Sequence, residues 1–304
     1  MANAAISTVG LTKRYPKLTA LDRLDLEIAQ GEVFGYLGPN GSGKTTTIRL
    51  LLGLIHPSSG QSKVFGLDSW HDAVEIHRRL AFVSGEANLW PALNGSETLH
   101  LLGQVQGRVD EKYRDELIER FDLDPSKKVR SYSKGNRQKL ILIAALMTRA
   151  DLLLLDEPTN GLDPLMEQEF RRSIGEARGR GQSVFLSSHI MSEVEALCDR
   201  VGILRRGKLV ELGSLDEMKH LSALSVEATF ADVVPDISGI EGVSSVRIEG
   251  RLLRCNVHGS PQPLLKVLAD AGVIELLSRE PTLEELFLAQ YGGESRSETH
   301  DVGH

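Results

Sequence analysis

Short apolar runs separated by polar turns recur through the first two thirds of the chain. Runs such as LLLL at 152–155 and VFLS at 184–187 have the length of strands, and they are apolar enough to be buried on both faces of a sheet. Helical patterns lie between such runs, and this alternation predicts an α/β domain with a mainly parallel sheet. The predicted strands are 32–37, 80–83, 152–155, 184–187 and 201–204, and the predicted helices are 45–54, 74–79, 89–121 and 140–147.

The pattern changes from about residue 225. SVEATF, VSSVRIEG and LLRCNVHG alternate between apolar and polar positions and predict strands, whereas PLLKVLADAG and TLEELFLAQY predict helices. The predicted organisation is an α/β domain over 1–222 with a helical insert at about 86–150, a small α+β domain over 223–292, and a polar, disordered tail over 293–304.

Composition and charge narrow the class of protein. Hydrophobic residues make up 41% and charged residues 25% of the 304 residues, as in ordinary globular proteins. No apolar run approaches the roughly 18 residues of a membrane span, and the first residues lack the features of a signal peptide. The formal net charge of −7 argues against nucleic acid as a partner. The two cysteines show no metal-ligand spacing, which predicts reduced thiols packed in a cytosolic protein.

A glycine-rich segment between a predicted strand and a predicted helix fits the pattern G-x-x-x-x-G-K-[ST] at every fixed position. Its glycines let the backbone turn tightly and aim N–H groups at phosphate oxygens, and the following helix adds its positive dipole end. Lys44 would place a charge on the β- and γ-phosphates, and the Thr45 hydroxyl can bind Mg²⁺. The alternative is a glycine-rich turn without a ligand. The predicted nucleotide-binding residues are Gly38, Pro39, Asn40, Gly41, Ser42, Gly43, Lys44, Thr45 and Thr46.

Two acids and a histidine follow predicted strands whose carboxyl ends share one sheet edge. Asp156 ends the LLLL strand and can reach the Mg²⁺ held by Thr45. Glu157 comes next and can orient a water for in-line attack on the γ-phosphorus. His189 follows another strand and can hydrogen-bond a γ-phosphate. Acids that merely cap a strand, and a histidine with a structural role, are the alternatives.

Several motifs occur together in the order found in the nucleotide-binding subunits of ABC transporters, which residues 4–220 resemble. GPNGSGKTTT is similar to the phosphate loop of that family, and SSHIMSEVEALCDRV resembles its histidine switch. LLLLDEPTNGLDP resembles the segment that joins the Mg²⁺ aspartate, the catalytic glutamate and the D-loop, here around Asp163. YSKGNRQKL is similar to the signature sequence, and Tyr15 stands where the family has an aromatic that stacks on adenine.

The resemblance implies that the chain works as part of a head-to-tail pair. In that family the signature turn covers the ATP held by another chain, so Ser133, Lys134, Gly135 and Asn136 would act in trans, at the start of a helix near Asn136. ATP would close the pair and its hydrolysis would reopen it. The implied cofactors are ATP and Mg²⁺, and the implied partner is a second copy of the chain (a homodimer) or a homologous ATPase subunit.

The sequence departs from the family pattern at two places. The signature differs from L-S-G-G-Q at Tyr132, Lys134 and Asn136, which resembles the ABC-2-type exporters related to antibiotic-resistance pumps. The family's glutamine that contacts Mg²⁺ and the attacking water is replaced by Gly85, with Glu86 beside it. We hypothesise that Glu86 takes the place of this glutamine at the metal. A water that fills the gap, and a solvated loop glutamate, are the alternatives.

The resemblance implies an ATPase that powers efflux of a drug or antibiotic through a separate multi-span membrane permease. The permease would dock on the insert at 86–150 and hold the chain peripherally at the cytoplasmic face of the cell membrane. A soluble ABC ATPase acting on ribosomes or DNA is the alternative, although such proteins usually carry long coiled-coil insertions or two ATPase units. A P-loop kinase would not need YSKGN, LDEP and SSH together. The C-terminal domain resembles accessory domains of the exporter branch, with roles in dimer support, regulation or packing.

Overall fold

The computed structural model describes residues 4–86, 88–215, 217, 224–279 and 282. The described residues up to Gly213 form one compact unit and those from Ser214 onward form another. This division lies before the boundary predicted at residue 222. The tail predicted over 293–304, and all but Thr282 of the helix predicted over TLEELFLAQY, lie outside the described residues.

The first unit contains both predicted types of element in alternation. In chain order its elements are β1 (Ala4–Tyr15), β2 (Leu18–Ala29), β3 (Val33–Leu37), α1 (Lys44–Leu51), β4 (Ser59–Val64), β5 (Leu67–Asp68), α2 (Ala73–His77), β6 (Leu80–Val83), α3 (Gly95–Gln106), α4 (Glu111–Arg120), a 3₁₀ turn (Val129–Ser131), α5 (Lys134–Leu146), β7 (Leu152–Asp156), α6 (Pro164–Gly179), β8 (Ser183–Ser188), α7 (Met191–Leu197), β9 (Arg200–Arg205) and β10 (Lys208–Ser214).

A six-stranded sheet in the order β10-β9-β3-β8-β7-β6 runs through the first unit. The five strands from β9 to β6 pair in parallel, which confirms the predicted α/β class. Every residue of β3, β7 and β8 is buried, as expected for strands covered on both faces. The register places Leu37 beside Ser188 and Asp156 beside Ser187, so the carboxyl ends of these three strands meet at one edge.

A second sheet, in the order β2-β1-β4-β5, is antiparallel and shares a hydrophobic core with the first. Helix α1 contributes Ile48 and Leu51 to that core. The helix ends at Leu51, so the prediction that it continues to residue 54 is wrong. Gly53 adopts a φ of 64°, which ends the helix in a turn.

The helical insert consists of α3, α4 and α5, separated by turns, so the continuous helical pattern predicted over 89–121 is two helices that begin only at Gly95. Asn94 and Glu97 form a capping box at the start of α3: each side chain accepts a hydrogen bond of 2.8 Å from the backbone N–H of the other. Ser133 caps α5 and accepts from the N–H of Asn136 at 3.1 Å. Helix α5 therefore begins at Lys134, earlier than the predicted start near Asn136.

Replacing Asn94 by alanine is expected to destabilise the chain by about 1 kcal/mol, because the N–H of Glu97 loses its side-chain acceptor in the capping box. Chemical denaturation measures the change. Ser96, on the exposed first turn of the same helix, gives the matched control, and Ser96→Ala is expected to stay within about 0.5 kcal/mol of wild type. Equal effects of the two substitutions would contradict a specific role of the cap.

The second unit contains β11 (Leu224–Phe230), β12 (Val243–Glu249), β13 (Leu252–Val257), α8 (Gln262–Asp270) and β14 (Val273–Arg279). The strands form an antiparallel sheet in the order β12-β13-β11-β14. Leu264 and Leu268 of the helix pack with Val226 and Phe230 in the core of this unit. The α+β composition agrees with the prediction, although β14 was not predicted, because its apolar residues are mostly exposed and do not alternate.

Two expectations from composition can be compared with the described residues. No helix among them combines the length and the apolar character needed to cross a bilayer. Cys198 and Cys255 are both buried and free, and burial raises the pKa of each thiol.

Candidate active site

The segment that fits the phosphate-loop pattern forms the turn between β3 and α1. Gly43 has a φ of 117°, and a Cβ there would lie 2.5 Å from the carbonyl oxygen of Ala20, so only glycine fits. Helix α1 begins at the next residue, and its first N–H groups, which no helical carbonyl can accept, lie at this turn. The buried hydroxyl of Ser42 has no hydrogen-bond partner among the described residues. The turn therefore offers donors that suit phosphate oxygens.

Lys44 places its ammonium between the loop and the end of β7. Its side chain is only 5% exposed, and the ammonium donates to the carbonyl oxygen of Gly38 at 2.6 Å. Oε1 of Glu157 lies 3.6 Å from Nζ. Burial lowers the pKa of Lys44, and the nearby carboxylates of Glu157 and Asp156 partly oppose that shift. The lysine thus holds a positive charge where a phosphate would enter the loop.

Asp156 meets Thr45 at the carboxyl edge of the sheet. The Thr45 hydroxyl donates to Oδ2 of Asp156 at 2.9 Å, and the Ser187 hydroxyl donates to Oδ1. Sequence reasoning did not select Ser187, although its position at the end of the neighbouring parallel strand could have indicated it. These oxygen atoms are the hard ligands that Mg²⁺ prefers.

The donor set fits a magnesium ion shared with a nucleotide. Within the described ranges the chain contains no group of three or more His, Cys, Asp or Glu that could enclose a metal ion. Mg²⁺ usually keeps several waters and takes only one or two protein ligands besides substrate phosphates. Thr45 and Asp156 supply that number.

Glu157 and His189 lie together beside Lys44. Nδ1 of His189 is 3.2 Å from Oε1 of Glu157, a hydrogen-bond distance when that nitrogen carries the proton. Glu157 has a φ of 49°, which is uncommon for a residue with a side chain, and its N–H donates to the carbonyl of Ser187 at 3.0 Å. The adjacent strand thus fixes an uncommon backbone conformation at Glu157, and this conformation sets the direction of the Glu157 side chain.

A cavity of about 740 Å³ opens over these groups. Thr45, Asp156 and Glu157 line it, together with Glu86 and Asn160. The exposed Glu86 therefore shares the cavity with the predicted metal-binding oxygens, as it must if it takes the place of the family's glutamine. No described contact joins Glu86 to these oxygens.

Gly85 lies against the strand that carries the acids. A Cβ at this position would lie 3.2 Å from the carbonyl oxygen of Asp156 and 3.5 Å from Cβ of Glu157. A side chain here would therefore start beside both acids, and its absence leaves space at that point of the cavity.

Tyr15 lies at the end of β1, in the hairpin that leads to β2, and is 42% exposed. The ammonium of Lys13 lies 5.3 Å from the centre of its ring. The described contacts link the phosphate loop to this hairpin through Ala20, and none of them involves Tyr15. A role in stacking on adenine therefore stays a prediction.

The predicted signature residues are not among those that line the cavity with Thr45 and Asp156. Ser133 and Lys134 are exposed, and Gly135 and Asn136 are partly buried at the start of α5. Tyr132 differs from the other members because it is buried and donates to the carbonyl of Asp124 at 2.6 Å.

The predicted D-loop residue Asp163 caps α6. Its carboxylate accepts hydrogen bonds from the N–H groups of Leu165 and Met166, each at 3.1 Å. This capping role is structural and accounts for the aspartate on its own. The adjoining part of the loop, at Asn160, reaches the cavity.

Sequence reasoning missed a buried acid behind His189. Glu193 on α7 is 3% exposed, and its Oε2 accepts a hydrogen bond of 2.6 Å from the Ser188 hydroxyl. Burial raises the pKa of Glu193, and the hydrogen bond from Ser188 partly opposes the shift. No helical spacing could have indicated it, because His189 lies before the start of α7, and only the structure shows the bond to Ser188.

Comparisons with known proteins agree with this geometry. A family model described as ABC transporter matches residues 21–160. The daunorubicin resistance ATP-binding protein DrrA3 of Streptomyces coeruleorubidus is 36% identical, and the alignment covers 97% of this chain and 98% of that protein. The bacitracin transport ATP-binding protein BcrA of Bacillus licheniformis is also 36% identical, with 95% and 97% covered. A solved structure of the ATP-binding subunit of an ABC transporter superposes with a TM-score of 0.67 at 28% identity, covering 71% of this chain and 92% of that one.

Proposed function

The chain belongs to the ATP-binding subunits of ABC transporters, whose shared domain is an ATPase, and we propose that it powers efflux of a drug or antibiotic through a separate membrane permease. It would work at the cytoplasmic face of the membrane in a head-to-tail pair with a second copy or a homologous subunit. Two relatives that align over nearly the whole chain, named for daunorubicin resistance and for bacitracin transport, support export of such compounds.

One observation carries the proposal: Thr45, Asp156 and Glu157 line one cavity, whereas the signature turn is exposed outside it. Lys44, Thr45, Asp156 and Glu157 meet at the carboxyl edge of the sheet. The exposed Ser133 lies at the start of α5, where its hydroxyl accepts from the N–H of Asn136. A second chain turned by a two-fold axis would bring each signature turn over the other chain's ATP.

The proposed hydrolysis uses groups already in place. Lys44 would bind the γ-phosphate, and Thr45 and Asp156 would hold Mg²⁺, which neutralises charge on the β- and γ-phosphate oxygens when bound. Glu157 would accept a hydrogen bond from the attacking water and orient it in line with the γ-phosphorus. His189, 3.2 Å from Glu157, would donate to a γ-phosphate oxygen and so distinguish ATP from ADP.

Replacing Asp156 by asparagine is expected to raise the Mg²⁺ concentration needed for half-maximal ATPase activity by about tenfold or more, because the amide removes the charged ligand. Titrating Mg²⁺ at saturating ATP measures the shift, with Asp115→Asn, at an exposed acid that pairs with Arg114, as the control. Glu86→Ala in the same titration tests the hypothesis that Glu86 contacts the metal. An unchanged Mg²⁺ requirement would leave Glu86 a solvated loop residue.

The permease is tested by gentle detergent extraction of cells that contain the tagged chain. The expected result is recovery of one multi-span protein at near-stoichiometric yield, which stimulates the ATPase when the two are reconstituted in vesicles. Recovery with ribosomes or DNA, and no stimulation by any membrane fraction, would contradict the transport function and favour the soluble ATPase. The ATPase chemistry would stand in either case.

A further inference from the structure

The signature turn contacts the loop after Glu157 within its own chain. The ammonium of Lys134 donates to Oδ1 of Asn160 at 2.8 Å. A Cβ at Gly135 would lie 2.6 Å from the carbonyl oxygen of Gly161, so the two backbones touch. One turn further along α5, the buried amide of Gln138 donates to the carbonyl of Pro158 at 2.8 Å. Three successive contacts therefore dock the start of α5 onto residues 158–161.

This loop determines where Glu157 stands. The N–H of Asn160 donates to the carbonyl of Glu157 at 3.2 Å and closes a turn. Glu157 enters that turn with a φ of 49°, and Gly161 leaves it with a φ of 91°. Glycine adopts a positive φ freely, but Glu157 keeps its left-handed conformation only where surrounding contacts fix it. Asn160 also lines the cavity with Thr45 and Asp156, so its side chain lies between Lys134 and the reaction site.

We propose that Lys134 is a positioning residue for hydrolysis in its own chain, where it acts through Asn160 to hold the turn that carries Glu157. The inference rests on the role proposed above for Glu157. It differs from the expectation that Lys134 contacts the ATP of the other chain. Binding of a partner's ATP at the signature turn would then change the position of Glu157 in the same chain, through the hydrogen bond between Lys134 and Asn160.

The hydrogen bond between Lys134 and Asn160 can be tested by substitution of either residue. Lys134 is exposed and Asn160 is only partly buried, so breaking the bond leaves groups that water can satisfy. Folding is therefore expected to survive substitution. A charged donor paired with a neutral amide is stronger than a neutral pair but is screened at the surface, so a moderate effect on rate is expected.

The experiment measures kcat and KM for ATP in the purified full chain. Lys134→Met and Asn160→Ala are each expected to lower kcat about threefold to tenfold and to leave KM within about twofold, because a displaced glutamate slows the chemical step without loosening ATP. The double variant is expected to be no slower than the slower single variant, since both break the same link. Lys134→Arg should restore part of the rate. Lys127→Met, which removes an exposed lysine that pairs with Asp124 before the signature turn, is the control and should stay within about twofold of wild type.

Other outcomes would overturn the inference. A raised KM with unchanged kcat in Lys134→Met, together with weaker ATP-dependent pairing in a Glu157→Gln background, would make Lys134 a direct ATP contact in trans. Rate losses that multiply in the double variant would also overturn it, because the two side chains would then act independently. No rate loss in either single variant would overturn it as well, because the hydrogen bond would then have no effect on hydrolysis. Failure of the role of Glu157 is distinguishable, since Glu157→Gln with intact Lys134 would then hydrolyse ATP at the wild-type rate.

Discussion

Glu157→Gln is expected to lower kcat for ATP about a thousandfold while ATP binding persists. The amide keeps the size of the carboxylate, and the N–H of residue 157 keeps its bond to the carbonyl of Ser187, but the amide is a far weaker acceptor for the proton of the attacking water. Lys44 would retain its hydrogen bond to the carbonyl of Gly38, so the phosphate loop should keep its shape. Single-turnover hydrolysis measures the rate, and equilibrium binding of ATP measures the affinity.

The trapped variant should also accumulate as a pair with ATP, since the shared γ-phosphate is no longer removed. Sedimentation with and without ATP measures this. Glu75→Gln is the matched control, because Glu75 is exposed and its ion pair with Arg78 lies on the surface. A Glu157→Gln chain that hydrolyses ATP within about tenfold of wild type would show that another group orients the water.

Lys44→Met is expected to weaken ATP binding about a hundredfold or more. The substitution keeps most of the volume of a side chain that is 5% exposed, but it removes the charge that two or more phosphate oxygens would share. Charge-assisted hydrogen bonds contribute about 1.5–3 kcal/mol each, which sets this scale. Calorimetric titration with ATP measures the loss, and circular dichroism monitors the fold.

The control for Lys44 is Lys208→Met, which removes a lysine that is 62% exposed and pairs with Asp22 at the surface. It is expected to leave ATP affinity within about twofold of wild type. If Lys44→Met also bound ATP within about twofold of wild type, the phosphate loop would not use its lysine, and the turn would hold nucleotide through backbone N–H groups alone.

The elements nearest the site were the ones that the sequence predicted best. Strands β3, β7 and β8 are buried on both faces, so they appear as continuous apolar runs, and the residues at their ends follow directly. Strands β4, β5, β10 and β14 were not predicted. Their patterns are short, polar or largely exposed, and their pairing with distant strands decides the conformation.

Contacts between distant segments could be predicted from the sequence only where both segments end at the same edge of the sheet. Asp156 and Thr45 were predicted to meet because both belong to one sheet edge, and the structure places them 2.9 Å apart. The link from Lys134 to Asn160 joins segments that no local pattern pairs, and it depends on how α5 packs against the loop after β7. Ser187 was also missed, although its position at the end of the strand beside β7 was a signal for it.

The parallel register that sets Asp156 beside Ser187 also bears on how such a protein can diverge. Neighbouring strands lie about 4.8 Å apart wherever the ladder is intact, so the spacing of Asp156 and Ser187 is fixed by backbone hydrogen bonds. Within the helical insert, α5 returns against the loop after Glu157, whereas α3 and α4 precede it in the chain. Chimeras that exchange α3 and α4 between relatives, while α5 and its bond to Asn160 are kept, should keep their ATP chemistry while changing which membrane protein they serve. Modularity of this kind would let one ATPase domain serve transporters of many different substrates.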